Sequence, residues 1–488
     1  MTFTASNSEV QVQKKLLKPK IIHLGFGAFH RAHQARYFDE LYKKGESDYG
    51  ICGVNLYSGV PLIQSLKLSN YQYPILEQTA TSSDVINIDS VVKCLHPQID
   101  GSQAIIEQIA DCYTEIVSLT ITEKGYYIDE ATQRLDILNP YIAQDLNNLH
   151  TPQTAIGYIV AGLKLRYERD MVPITILSCD NLQNNGNKIR IAVIDFAHQI
   201  DPGLANWIST HICFPSTMVD RIVPAMTETS FDEFTKITRL SHPGALMTES
   251  FRQWVVEDNF AQPRPKLELV GVQFVKDVMP FEEMKLGMLN ASHSFLAYLG
   301  FLGGFKTIDE VINEESFRQA TLDLMIKYQI PTLKITDQGF LIDYAYALIK
   351  RFSNPHLKHQ TQQIAQDGSL KIPQRLLHSL KWHLAQNTVP ILPALAIVGW
   401  MRYVAGINES GEVFNVVDPK SQEFKSIYQE YSFTDGYVET LLSISTIFGQ
   451  DLGKNTALVN TLCKLFNALN KHGAKVFVKQ LVTQEYKL

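Results

Sequence analysis

Lys20-Ile21-Ile22-His23-Leu24 runs directly into Gly25-Phe26-Gly27-Ala28-Phe29-His30, and Arg31–Tyr42 follows with helical spacing and no breaker. A short apolar run with a charged entry reads as a buried parallel strand. A second strand, Gly50–Leu56, is expected roughly 25 residues later. Strand, glycine turn, helix and strand in that order make one βαβ unit of a doubly wound sheet. The turn itself points to chemistry. Glycine lets the backbone approach a pyrophosphate, which then sits at the N-terminus of the following helix. Gly25 and Gly27 fill the first two positions of the G-x-G-x-x-G fingerprint, and His30 takes the third. Leu24 through Arg31 is therefore the candidate cradle of a dinucleotide.

The second strand ends Asn55-Leu56-Tyr57-Ser58-Gly59. It carries neither the acid that NAD readers place there nor the arginine that meets a 2′-phosphate. The missing basic residue favours NAD, with NADP left open. Further buried strands are expected at Glu115–Thr122, Pro173–Ser178 and Met218–Val223, each ending in small or polar residues. In open α/β sheets such strand tails border the ligand crevice. Asp89–Ile109 and Asp136–Pro152 read as insertions or covering elements.

From Glu282 onward the pattern is helical: Glu283–Tyr298, Ser316–Tyr328, Gln338–Arg351, Gln374–His383, Leu392–Val404 and three more segments in the tail. The chain thus reads as α/β, with a Rossmann-type dinucleotide-binding domain over residues 1–280. An all-α substrate-binding domain follows over 281–488.

Composition narrows the class. The 488 residues suit two to four domains. With 45% hydrophobic and 19% charged residues the chain is no disordered polymer or coiled-coil rod. A formal charge of −6 without a basic stripe argues against nucleic acid. Small molecules or another copy are the expected partners, with the oligomeric state open. Six scattered cysteines, with no C-x-x-C pair, read as reduced thiols rather than metal ligands. The polar N-terminal arm lacks a signal-peptide core. The charge-free apolar stretch Asn387–Met401 contains Pro390 and Pro393 and is too short for a membrane span. A cytoplasmic protein is expected.

The sharpest constellation is Lys285-Leu-Gly-Met-Leu-Asn290-Ala-Ser-His293. At about 100° per residue, Lys285, Asn290 and His293 fall at about 0°, 140° and 80°, within one arc of a helix. Hydride transfer from an alcohol needs a base for the hydroxyl proton, and a desolvated lysine can serve. An amide such as Asn290 can stabilise the alkoxide, and His293 can orient substrate. Taken singly, each residue reads more readily as a surface lysine, a capping asparagine or a core histidine. The triple behind a dinucleotide fold favours function. Glu282 and Glu283 could relay protons from Lys285 or simply complement the helix dipole.

His23-Leu-Gly-Phe-Gly-Ala-Phe-His-Arg-Ala-His33, Ser178-Cys-Asp-Asn181, Met218-Val-Asp-Arg-Ile222 and Lys285-x4-Asn290-x2-His293 together resemble the mannitol dehydrogenase family, the polyol-specific long-chain dehydrogenases. The resemblance runs from about Ile21 to the C-terminal helices. It implies Lys285 as general base, Asn290 and Asn181 as a pair around the reacting oxygen, and His293 as a substrate holder. It also implies Asp220 near the nicotinamide, and no catalytic metal. Ser292–Gly304, Thr122–Tyr126 and Arg351–Arg375 resemble the family's fructuronate reductases more than its mannitol 2-dehydrogenases, which tend to place glycine at Lys124 and arginine at Gln363. A sugar acid needs a cationic partner for its carboxylate. Lys124 and Lys371 are the candidates, with Gln363 beside them as a substrate contact and Lys358 the weaker choice. The expectation is NAD-linked interconversion of D-fructuronate and D-mannonate. The alternatives are a neutral polyol such as D-mannitol, a glycine-turn methyltransferase, and a silent NAD-binding protein.

Overall fold

The computed structural model describes residues 16–129 and 131–486. Most of the arm read for a signal peptide, residues 1–15, lies outside the described residues. Strand β1 (Lys18–Leu24) is followed by β2 (Tyr49–Val54), the hairpin β3 (Tyr73–Gln78) and β4 (Ser83–Ile88), and β5 (Val91–Leu95). Next come β6 (Ile116–Leu119), β7 (Thr175–Ser178) and β8 (Thr217–Asp220). Strands β9 (Leu246–Glu249), β10 (Gln253–Glu257) and β11 (Gln273–Val275) complete the set.

Five of them form one parallel sheet in the order β5-β2-β1-β6-β7. This is the Rossmann order, with the chain leaving β1 to one side and later returning on the other, so the switch point lies between β1 and β6. Period-two alternation covers both faces. Ile22, Val117 and Ile176 pack with the helices Ser102–Ile109, Ala155–Glu168 and Asn185–Ile200. Ile21, Ile116 and Leu177 join Ala35, Phe38 and Trp254 in the core beneath the other face. Burying each such aliphatic side chain stabilises the fold by about 1.5–3 kcal/mol.

Two expectations need correction. Asp89–Ile109 is no insertion: it holds the sheet's edge strand β5 and the helix Ser102–Ile109. Lys93 interrupts the apolar run because an edge strand can leave such a side chain half-buried. The strand expected at Met218–Val223 exists as β8, yet it pairs antiparallel with β10 in a separate three-stranded sheet.

The chain divides into two compact units between Met279 and Pro280, and the described elements of the second are helices. Its centre is built from Ala291–Leu302 and Ile391–Tyr403, both buried on nearly every side. Apolar residues all round are what a central helix requires. A β-carbon at Gly399 would come 2.9 Å from Leu299 Cδ2, so this glycine permits the two helices their close approach. The charge-free stretch at Asn387–Met401 supplies most of that central helix. No helix of the described residues is long and apolar enough to cross a membrane.

The helix expected at Glu283–Tyr298 is continuous but not uniformly α. Lys285–Asn290 is a π-helical turn between Met279–Met284 and Ala291–Leu302. The angular placement at 100° per residue therefore does not hold. Bonds from i to i+5 widen the turn and bring Lys285 and Asn290 towards the same side. Such turns are frequent at functional sites.

Candidate active site

In the first unit, Leu24 ends β1 and Gly25 turns the chain with φ +91°. A β-carbon on Gly25 would lie 2.1 Å from the Thr120 carbonyl oxygen, at the end of neighbouring β6. Only glycine fits there. Phe26 turns inward onto β2, where a β-carbon at Gly53 would overlap its ring. Gly27 is exposed, has φ −84°, and leaves the space over the turn open. Ala28 and Phe29 begin the helix Ala28–Ala32, whose first-turn N–H groups have no intrahelical acceptors. A turn at the switch point, with open space over Gly27 and free N–H groups beyond, fits the pyrophosphate of a dinucleotide.

His30 and Arg31, expected in the cradle, turn their side chains into the interior. His30 stacks on His23 with ring centroids 3.4 Å apart. Arg31 donates from Nη1 to the Gly244 carbonyl at 2.6 Å. His23 in turn places Nδ1 2.8 Å from Ser118 Oγ and Nε2 2.9 Å from Thr120 Oγ1. Burial pushes His23 down to about 3, so the imidazole that braces the turn stays neutral. Asn55 follows β2 half-buried, its amide packed against the Gly59 turn. Asp220 ends β8 and is buried.

The tail of β6 is held by Asp180, the residue before Asn181. Its carboxylate accepts from the backbone N–H groups of Ile121 and Thr122 at 3.0 and 2.8 Å and from the Tyr126 hydroxyl at 2.8 Å. Thr122 is thereby kept at φ +64°, a strained value for a β-branched residue. Lys124 stands exposed on the 3-10 turn Glu123–Tyr126 that follows, and Asn181 is exposed beyond β7.

In the second unit, Lys285, Asn290 and His293 are all buried along one continuous helix. His293 packs its ring 4.7 Å from Phe352 and 5.5 Å from His359, and its Nε2 is buried with no hydrogen-bond partner among the described residues. Burial drives the imidazole well below its ordinary range, and His359, Arg375, Arg351 and Lys285 act in the same direction. A neutral ring with an unpaired nitrogen suits a substrate hydroxyl. Glu282 is buried, whereas Glu283 pairs with Lys334 at 2.7 Å.

The helix Gly368–Arg375 brings up Lys371. A β-carbon at Gly368 would meet Trp400 Nε1 at 2.4 Å, which shows how tightly that helix is seated. Lys371 is half-buried, donates to the carbonyls of Gln366 and Ile364 at 2.6 and 3.2 Å, and is pushed down to about 8, first by burial and then by Arg375. Gln363 lies exposed on the short helix Thr361–Ile364, and Lys358 is also exposed.

The sequence reading missed Arg375, Arg351 and His359, which surround His293. One signal was available for Arg375: it follows Lys371 by four residues and so shares its helix face. Among the described residues, no group of three or more His, Cys, Asp or Glu side chains is placed to hold a metal ion.

Comparison with known proteins identifies the family and the fold. The Mannitol dehydrogenase Rossmann domain matches residues 19–269 and the Mannitol dehydrogenase C-terminal domain residues 277–470. D-mannonate oxidoreductase of Escherichia coli (strain K12) is 46% identical over 467 residues, which cover 95% of this chain and 96% of that one. A mannitol 2-dehydrogenase of Phaeosphaeria nodorum is 36% identical, over 96% of this chain and 82% of its own. Pseudomonas fluorescens mannitol 2-dehydrogenase, solved as a ternary complex with NAD and D-mannitol, is 33% identical with a TM-score of 0.81 over 96% of each chain. Matched along nearly its whole length by sequence and by fold, this chain belongs to the mannitol dehydrogenase family of oxidoreductases acting on CH–OH groups.

Proposed function

We propose that this enzyme reduces D-fructuronate to D-mannonate, reversibly, with NAD(H). The observation that carries the reading is the excess of positive charge around His293. Lys285, Arg351 and Arg375 lie within electrostatic reach of His293, and Lys371 lies within reach of the adjoining His359. The acids that reach Lys371 are Asp367 and Asp418. Asp418 is bound to the backbone and hydroxyl of Ser369 at 2.8 and 2.7 Å. A neutral polyol has no use for such a field, whereas a carboxylate does. The 46% identity to a D-mannonate oxidoreductase supports the same substrate. The likeness to a structure holding D-mannitol favours the neutral alternative.

The chemistry divides among the chain's own groups. The nicotinamide, when bound, supplies or accepts the hydride. Lys285 gives a proton to the ketone oxygen in reduction and takes it from the hydroxyl in oxidation. The amides of Asn290 and Asn181 donate to the oxygen as it gains charge. The unpaired Nε2 of His293 meets a substrate hydroxyl. The backbone from Leu24 to Phe29 holds the pyrophosphate, Asp220 serves the nicotinamide end, and Asn55 replaces the usual acid near the ribose. No arginine or lysine stands between Asn55 and Val60, which supports NAD over NADP.

NADH consumption with D-fructuronate and D-fructose offered side by side tests the proposal. Strong preference for fructuronate is expected. Preference for fructose returns the enzyme to the mannitol branch.

A further inference from the structure

We infer that Arg375 holds the carboxylate of the substrate and sets the preference for a sugar acid over a neutral ketose. The inference rests on the substrate reading above and names the residue that reading lacks.

Among the described residues no carboxylate pairs with Arg375. Its Nη1 donates to the carbonyl oxygen of Asn290 at 3.3 Å and to Ser294 Oγ at 3.1 Å. Those two bonds pin the guanidinium against the helix that carries Lys285, Asn290 and His293. Nε and Nη2 have no acceptor among the described residues and are not sealed in the interior. They form one edge of the planar fork, the edge that receives a carboxylate through two parallel hydrogen bonds.

Two buried arginines elsewhere have both terminal nitrogens taken up by the protein itself. Arg166 donates to the carbonyls of Ile109, Asp111 and Val172, and Arg221 pairs with Glu77 while also donating to the Glu249 carbonyl. Arg375, half-buried, is left with three of its five N–H donors unused, and a bound anion would take them up. Burial pushes its guanidinium below the ordinary range, in keeping with a positive group short of counter-charge.

The competing lysines fit less well. Lys371 commits its ammonium to two backbone carbonyls. Lys124 is exposed, where an ion pair contributes little.

Arg375→Gln and Arg375→Lys in the full-length enzyme test this, with kcat/KM measured for D-fructuronate and D-fructose and the Tm and NADH affinity measured alongside. In the glutamine variant, fructuronate kcat/KM should fall about 100-fold, mainly through KM. Fructose turnover should change less than threefold, and the lysine variant should fall in between. Equal losses on both substrates, or loss of NADH binding and Tm together, would make Arg375 a structural residue and overturn the inference. So would a collapse of the preference in Lys124→Ala but not in Arg375→Gln. A wild-type enzyme that prefers fructose removes the substrate reading and the inference with it. A wild type that prefers fructuronate, with an Arg375→Gln variant that keeps the preference, removes the inference alone.

Discussion

The α-carbon of Gly25 faces the carbonyl oxygen of Thr120 so closely that an added β-carbon would lie 2.1 Å from it. The turn after β1 is thus built against the tail of β6 at the switch point of the sheet. Gly25 and Gly27 are both glycines, yet for different reasons, and the difference is measurable. Gly25→Ala meets backbone at φ +91° and should destabilise the first unit by about 1–3 kcal/mol, taking NADH affinity with it. At Gly27 the backbone suits alanine and the nearest atom is 3.8 Å away. Gly27→Ala should keep its Tm while NADH binding weakens about tenfold or more, because the methyl group occupies the pyrophosphate's approach. Wild-type NADH affinity in Gly27→Ala would mean that the phosphates lie elsewhere.

The same turn carries a stability cost at low pH. Burial holds His23 and His33 down to about 3, against about 6.5 in an unfolded chain. Between those values the unfolded state binds the extra protons, so stability is complete above about pH 6.5 and declines as pH falls towards 3. Each histidine adds about 1.4 kcal/mol of loss per pH unit in that window. His33 donates from Nε2 to the Gln253 carbonyl at 2.9 Å, a bond that a glutamine amide can replace. Urea unfolding at several pH values between 7 and 4 should give His33→Gln a shallower slope than wild type. Parallel slopes would count against this account.

These relationships were legible in the sequence to different depths. Ile21–Leu24 and the turn after it announce a strand and a switch point because a strand buried on both faces must be apolar without interruption. The edge strand Val91–Leu95 was hidden by Lys93, whose half-exposed position tolerates charge. Met218–Asp220 is apolar enough for either sheet, and only its distant partner β10 decides which. The π turn at Lys285–Asn290 has no apolar period of its own, so helical spacing gave the right element and the wrong phase. Asn290 and Arg375 are 85 residues apart, and no local rule links them.

In the proposed mechanism Lys285 is the residue on which proton transfer depends. Removing the proton-transfer group while leaving the glycine turn intact should separate turnover from cofactor binding. Lys285→Ala is expected to lower kcat by about 10²–10⁴-fold. NADH affinity, followed by its fluorescence, should stay within about twofold because the turn belongs to the first unit. Retained turnover would favour a different base, with buried Glu282 the next to test.

Lys371 should give the reaction a visible dependence on alkaline pH. Its ammonium, pushed down to about 8 by burial and by Arg375, is a cation at neutral pH and loses its proton as pH rises through that value. The positive field around His293 weakens accordingly, and an anionic substrate feels this where a neutral one does not. KM for D-fructuronate should rise about two- to fivefold between pH 7 and 9, the scale of a half-exposed ion pair worth roughly 0.5–1 kcal/mol. D-fructose should show no such rise. In Lys371→Met the KM for fructuronate should start higher at pH 7 and remain flat to pH 9. A rise that persists in that variant would assign the titration to another group.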